Sequence, residues 1–217
     1  MDLTQFSPSS TLITVILLAL APFVAVMVTS FTKIVVVLSL LRNALGLQQV
    51  PPNLVINGLA LVLSIYVMYP VGQEMLERTS GLAEIGKSTD TMLEAANNAK
   101  EPLRDFLAEH VSPREQGFFL KTIHKMLPKE KATELTSTDF VILVPAFTIS
   151  ELTIAFEIGF LIFLPFIVID LVIANILMAM GMMMLSPTVV SLPFKLLLFV
   201  LVDGWVKLAH GLVLSYL

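Results

Sequence analysis

Hydrophobic and polar positions along the chain separate into three blocks. An apolar half runs from Thr11 to Val71, a polar block from Gly72 to Asp139, and a second apolar half from Phe140 to the last residue. A membrane-spanning helix needs roughly 20 mostly apolar residues, and four such segments fit. The first lies within Thr11 to Leu41, which is too long for one crossing. Its kink is expected at Pro22, where an interior hydrogen bond is lost. The second is Leu54 to Val71, the third starts near Phe140 and the fourth near Thr188. Between the first two, "LRNALGLQQVPPN" carries Arg42, Gly46 and the Pro51-Pro52 pair, a connecting turn.

The pattern predicts an all-α protein of membrane-type helical hairpins with broken helices and a small helical extramembrane insertion. The units are 1–71, an N-terminal hydrophobic hairpin; 72–139, the polar insertion; and 140–217, a C-terminal hydrophobic hairpin. Within the insertion, "SPREQGFFLKTIHKML" places Ser112 as N-cap, Pro113 at the first helical position and Glu115 at the third. That spacing predicts a capping box, followed by Phe119, Ile123 and Met126 at helical intervals. "PLRDFLAEHV" reads as a short amphipathic helix before it.

The second apolar half is the less regular one. Pro145, Glu151, Glu157, Pro165, Asp170, Asn175 and Gly181 interrupt it, and such features are tolerated at membrane depth only where protein or water surrounds them. This half is expected to face other subunits, a cavity, or both.

Composition sharpens the picture. Of the 217 residues 56% are hydrophobic and 14% charged, more apolar surface than a water-soluble domain of this size can hide. The polar block holds 12 of the 17 acids and 9 of the 13 bases. A net charge of −4 argues against nucleic acid as a partner. No cysteine is present, which removes disulfides and thiolate chemistry together. No Lys or Arg precedes the first apolar segment, so that segment is read as retained, not as a cleaved signal. Arg42 in the first loop marks a cytoplasmic side, which places the N-terminus and the polar block outside.

Catalytic patterns are not found. His110, His124 and His210 lie in no metal-binding spacing, and there is no nucleophile elbow, phosphate loop or dinucleotide fingerprint. No metal, cofactor or enzymatic activity is expected. Glu151, Glu157 and Asp170 are not spaced to share one helix face. Each is either an acid satisfied at a subunit interface or helix end, or part of a charge-paired site along a translocation path. Asp203 and Lys207, four apart, are expected to form a local ion pair. Lys33 and Lys195 snorkel or pair with partners that spacing alone does not name.

The stretch "MAMGMMMLSP" gathers five methionines between residues 178 and 184. A methionine stripe in an apolar helix is ordinarily core packing. Met182, Met183 and Met184, however, are consecutive and fan around an axis, while Gly181 and Pro187 bracket a break. Unbranched thioethers adapt their shape at low cost, so these three could line a collar that seals against itself. Met178 and Met180 are expected to pack within the preceding helix.

Three stretches, "VTSFTKIVVVLSLLRNALGLQQVPPN", "PAFTISELTIAFEIGF" and "PFIVIDLVIANILMAMGMMMLSPTVVSLPFKLLLFVLVDGW", resemble the FliP/SctR family of flagellar and virulence-associated type III secretion export apparatuses. The resemblance implies a homopentamer that joins FliQ/SctS-like and FliR/SctT-like subunits in a helical export gate. It also implies association with other export apparatus proteins and passage of unfolded secretion substrates. That gate would sit in the bacterial inner membrane, with part of it projecting to the periplasmic side. The family's pore gasket maps onto Met182, Met183 and Met184. Lys33, Arg42, Glu151, Glu157, Asp170, Lys195 and Asp203 are candidate interface or pathway charges. Retention of the first segment leans towards the virulence-type branch. The competing readings are a secondary transporter or ion channel that uses the buried acids, disfavoured because its halves should match, and a membrane enzyme, disfavoured by the missing motifs.

Overall fold

A computed structural model describes residues 8–80, 98–128, 132 and 135–217. The remaining parts of the expected insertion, 81–97, 129–131 and 133–134, lie outside the described residues. Eight helices follow one another among them: α1 Pro8–Val28, α2 Phe31–Ala44, α3 Asn53–Ser80, α4 Glu101–His110, α5 Pro113–Met126, α6 Phe140–Ala179, α7 Pro187–Leu201 and α8 Gly204–Leu214. Two, Asn53–Thr79 and Phe140–Ala179, are long and apolar enough to cross a membrane, and the bent pairs α1/α2 and α7/α8 raise the number to four if each is one broken span. Broken helices are thus present, but not everywhere the sequence suggests.

The first break lies at Thr29–Ser30, not at Pro22, which sits inside α1. There the chain turns by 79°. A proline removes one donor, whereas a helix end must satisfy several carbonyls at once. Threonine hydroxyls do so here. Thr29 Oγ1 donates to Ala25 O at 2.8 Å and Thr32 Oγ1 to Val26 O at 2.7 Å, while Thr148 Oγ1, from α6, shares its proton between Val144 O of its own helix at 2.8 Å and Met27 O at 3.2 Å.

Pro145 and Pro165 likewise fail to break α6, which is continuous over 40 residues. At 1.5 Å per residue that is about 60 Å, twice the roughly 30 Å of a hydrocarbon core. α3 also runs on through Val71, the expected end of the second span, to Ser80. Ser112 does precede α5, but no side-chain cap bond forms. Its backbone N–H donates to Ser150 Oγ on α6 at 2.9 Å, a tertiary contact in place of the predicted local box.

α2 is the central strut. Its buried Ile34, Val37 and Leu38 pack with Ile56 and Ala60 of α3, Ala155 of α6 and Leu212 of α8. Lower on the same helix, Leu41, Ala44 and Leu45 meet Phe166 of α6 and Phe199 of α7. α4 contributes Phe106 and Leu107 to a third cluster with Leu143, Ala146 and Phe147 of α6. The helices of the insertion therefore seat on the first turns of α6. Gly159 permits the close approach of α2 to α6, because a Cβ there would lie 2.2 Å from Leu40 Cδ1.

Asp203, in the left-handed region at φ 52°, and Gly204 make the 59° bend between α7 and α8. A Cβ on Gly204 would come within 2.1 Å of the Phe199 ring, which Trp205 flanks edge-on at 5.5 Å between centroids. Gly204→Ala is expected to destabilise the fold by about 1–3 kcal/mol through overpacking. A thermal midpoint of the detergent-solubilised variant equal to the parent's would contradict this.

Candidate functional site at the methionine turn

α6 and α7 form a hairpin whose connection carries the methionines. α6 ends in a Schellman motif. Gly181 N–H donates to Met178 O at 3.0 Å, and Met182 N–H reaches back to Leu177 O at 2.9 Å. The motif requires a left-handed residue at its centre, and Gly181 supplies it at φ 69°. Leu185 N–H then donates to Met182 O at 3.3 Å, after which Ser186 precedes α7 with Pro187 at its first position. The turn is therefore fixed by its own backbone and by the two residues that bracket the methionines.

Two of the side chains on it, Met183 and Met184, stand almost clear of the described residues, and Met182 is partly covered. Met182 is 42%, Met183 84% and Met184 101% exposed. Met178, in the last turn of α6, and Met180, its cap, are exposed as well. They belong to the end of the helix, as expected of them, with their side chains outward. The end of this hairpin is an apolar, polarisable knob that no described residue covers.

Two ion pairs, one buried and one with a half-buried carboxylate, hold the frame beneath it. Lys33 on α2 is 2% exposed and Glu151 on α6 1%, with Nζ and Oε1 3.4 Å apart. The Tyr216 hydroxyl donates to the other oxygen, Oε2, and the Tyr216 ring lies under the ammonium, 3.5 Å from Nζ to centroid. That ring also stacks on Phe106 of α4 at 6.0 Å and faces His110 at 5.2 Å. One cluster thus ties together α2, α6, the insertion and the segment after α8.

The second pair joins α6 to α7. Lys195 Nζ lies 2.7 Å from Asp170 Oδ2, and Ser191 Oγ donates to Asp170 Oδ1 at 2.5 Å. Lys195 also donates to Ala44 O, the last carbonyl of α2, at 3.3 Å, where the helix dipole is negative. Asp170 sits about 14 Å below the end of α6 at 1.5 Å per residue. This pair fixes the spread of the hairpin and anchors it on α2. Consequently α2 is pinned near its start by Glu151 and at its end by Lys195.

The other candidates separate. Arg42 closes the first loop, donating from Nη1 to Asn53 Oδ1 at 2.5 Å and to Pro51 O at 3.3 Å. Glu157 is exposed on α6, in a shallow groove with Ile149, Thr153, Phe156 and Phe160, and holds no ion pair among the described residues. Asp203 and Lys207 do not form the expected ion pair. Only the backbone bond from Lys207 N to Asp203 O, at 3.0 Å, is made; Asp203 is the N-cap in left-handed geometry, so its side chain does not stand on the helix face as that of an interior i,i+4 partner would. Sequence reasoning missed Tyr216 and Ser191. Ser191 carries a weak signal, four residues before Lys195 on the same helix face, while Tyr216 carries none until the chain folds.

A family model described as the FliP family matches residues 12–212. The chain is 55% identical over 205 residues to the "Pathogenicity-related ORF2" of Xanthomonas campestris pv. glycines, covering 94% of this chain and 95% of that protein. It is 50% identical over 210 residues to the hypersensitivity response secretion protein HrcR of Ralstonia nicotianae, at 96% and 97% coverage. With the Yop proteins translocation protein R of Yersinia pestis it shares 54% over 200 residues, 92% of each chain.

Proposed function

Since the chain belongs to the FliP family, a component of type III secretion apparatuses, we propose that it is the core channel subunit of an export gate through which unfolded proteins leave the cell. In this reading copies of the chain, five in number, assemble with FliQ/SctS-like and FliR/SctT-like subunits in a bacterial inner membrane. The α6/α7 hairpins converge so that Met182, Met183 and Met184 of each copy close the pore. The helices of the insertion pack on the periplasmic side. The names of its relatives, which speak of hypersensitivity, pathogenicity and Yop translocation, favour the virulence-type branch.

The observation that carries this reading is the methionine turn itself. It is built rigidly at its base, yet its apolar side chains are left uncovered by their own chain. An isolated protein would lose stability and solubility by such exposure, whereas a ring of copies covers the thioethers with one another. A collar of this kind closes by excluding water and deforms around passengers of different shape. The length of α6 fits a subunit that stands partly above the membrane. An ion-coupled transporter would need a buried acid free to bind and release its ion, and Glu151 and Asp170 both hold lysines.

Isolation in mild detergent tests the reading. The chain is expected to migrate as an assembly of several copies together with two kinds of small polytopic partner. A stable monomer that never associates with them would overturn it.

A further inference from the structure

We propose that Met182, Met183 and Met184 are a site of reversible two-electron oxidation by peroxides, and that oxidation wets and opens the collar they form. The inference rests on the gate reading above. It starts from reactivity, not shape. The chain contains no cysteine, so no thiol of its own intercepts an oxidant before the thioethers do. Of these, Met183 and Met184 stand clear of the chain, and the backbone bonds at Gly181 and Met182 keep the turn from folding back over them. In an assembled ring the thioethers pack against one another across the axis, and only the sulfurs on the collar's two rims border the lumen, which small oxidants enter from its aqueous ends.

The chemistry balances without a further reactant. A sulfur lone pair attacks one oxygen of hydrogen peroxide, the S–O bond forms as the O–O bond breaks, and the proton on the transferred oxygen passes to the departing hydroxide, leaving a sulfoxide and one water. The consequence follows from how an apolar constriction closes. Such a collar is sealed because water cannot hydrogen-bond to its walls. A sulfoxide turns a flexible apolar side chain into a polar one, and its oxygen accepts hydrogen bonds. The wall then holds water, and the seal fails. Methionine sulfoxide reductases reverse the change, so the site would act as a switch and not only as a lesion.

The test uses the assembled complex in planar bilayers, exposed to hydrogen peroxide, with peptide mass spectrometry to locate sulfoxides. Met126, exposed at the end of α5 and far from the turn in sequence, serves as an internal reference. Sulfoxide at Met183 and Met184 should accompany a loss of the seal, and treatment with the two reductases should restore it. A variant with Met182→Leu, Met183→Leu and Met184→Leu keeps apolar bulk but offers no oxidisable sulfur. It should stay closed before and after peroxide. The proposal is overturned if the turn remains unoxidised while Met126 is converted, if sulfoxide forms there without conductance, or if the leucine variant opens equally. An alanine triple variant in the same bilayers separates the two ideas. If it conducts and the oxidised parent does not, oxidation control fails alone; if neither conducts, the gate reading fails with it.

Discussion

Replacing Met182, Met183 and Met184 together by alanine is expected to leave the complex assembled and to make the membrane leak ions and small solutes. The two halves of this expectation have separate physical grounds. Met183 and Met184 make almost no contact within the chain, so their truncation should shift its stability by no more than about 0.5 kcal/mol each, as for surface residues free of special features. A collar, by contrast, depends on how much apolar side chain reaches the axis. Truncation to a methyl group widens the constriction, and water that a narrow apolar pore expels returns to a wide one. Ion flux across vesicles or planar bilayers reads the seal, and native electrophoresis reads the assembly. A sealed membrane with a complex that no longer forms would make the methionines packing residues and sink the gate assignment.

Breaking the pair at the other end of the frame should have the opposite signature. Lys33→Met leaves Glu151 buried without its cation, and removing one partner of a buried ion pair costs about 3–5 kcal/mol. Against a total stability on the order of 5–15 kcal/mol, that is enough to lower the amount of folded protein several-fold. Secretion should fall because the subunit is missing, not because the pore leaks. Adding Glu151→Leu removes the orphaned charge and should recover most of the loss. It leaves the Tyr216 hydroxyl without its acceptor, a residual cost of about 1–3 kcal/mol for a buried unsatisfied group. Tyr216→Phe on top should recover that too. Protein abundance in membranes across the single, double and triple variants checks the order. Three variants equally depleted would show that the charges act otherwise than through their mutual pairing.

The two ends of this helical frame differ: the pairs around α2 tie the hairpin down, and the turn at its end carries exposed methionines. In the proposed gate that difference would serve a reusable seal, since a collar can deform around a passenger only if its supports return it to one position.

Much of this was legible in the residues. Long apolar runs specify helices where water is excluded, because there every backbone group must be satisfied within its own segment. The end of α6 was equally plain, since Gly181 and Pro187 act over a few residues: one supplies a left-handed centre, the other a fixed φ at the start of the next helix. The misjudged features share a cause. Pro22, Pro145 and Pro165 each remove a single donor, and helices long enough to keep their neighbouring bonds run through them. The true break at Thr29–Ser30 is tied to α3 by the buried bond from Ser30 Oγ to Ser64 Oγ at 3.0 Å, which exists only once the helices have packed. Ser112 gave up its local cap for a bond to Ser150 in the same way.

By itself, then, the sequence determined the helices, the two apolar halves and the methionine turn, because these rest on interactions spanning a few residues of backbone. Tertiary structure alone decided that Lys33 meets Glu151 across 118 positions, that Lys195 takes Asp170 and the last carbonyl of α2, and that Tyr216 completes the first pair. A charge is drawn to whichever opposite charge shares its dry pocket, and pockets exist only once the helices have crossed.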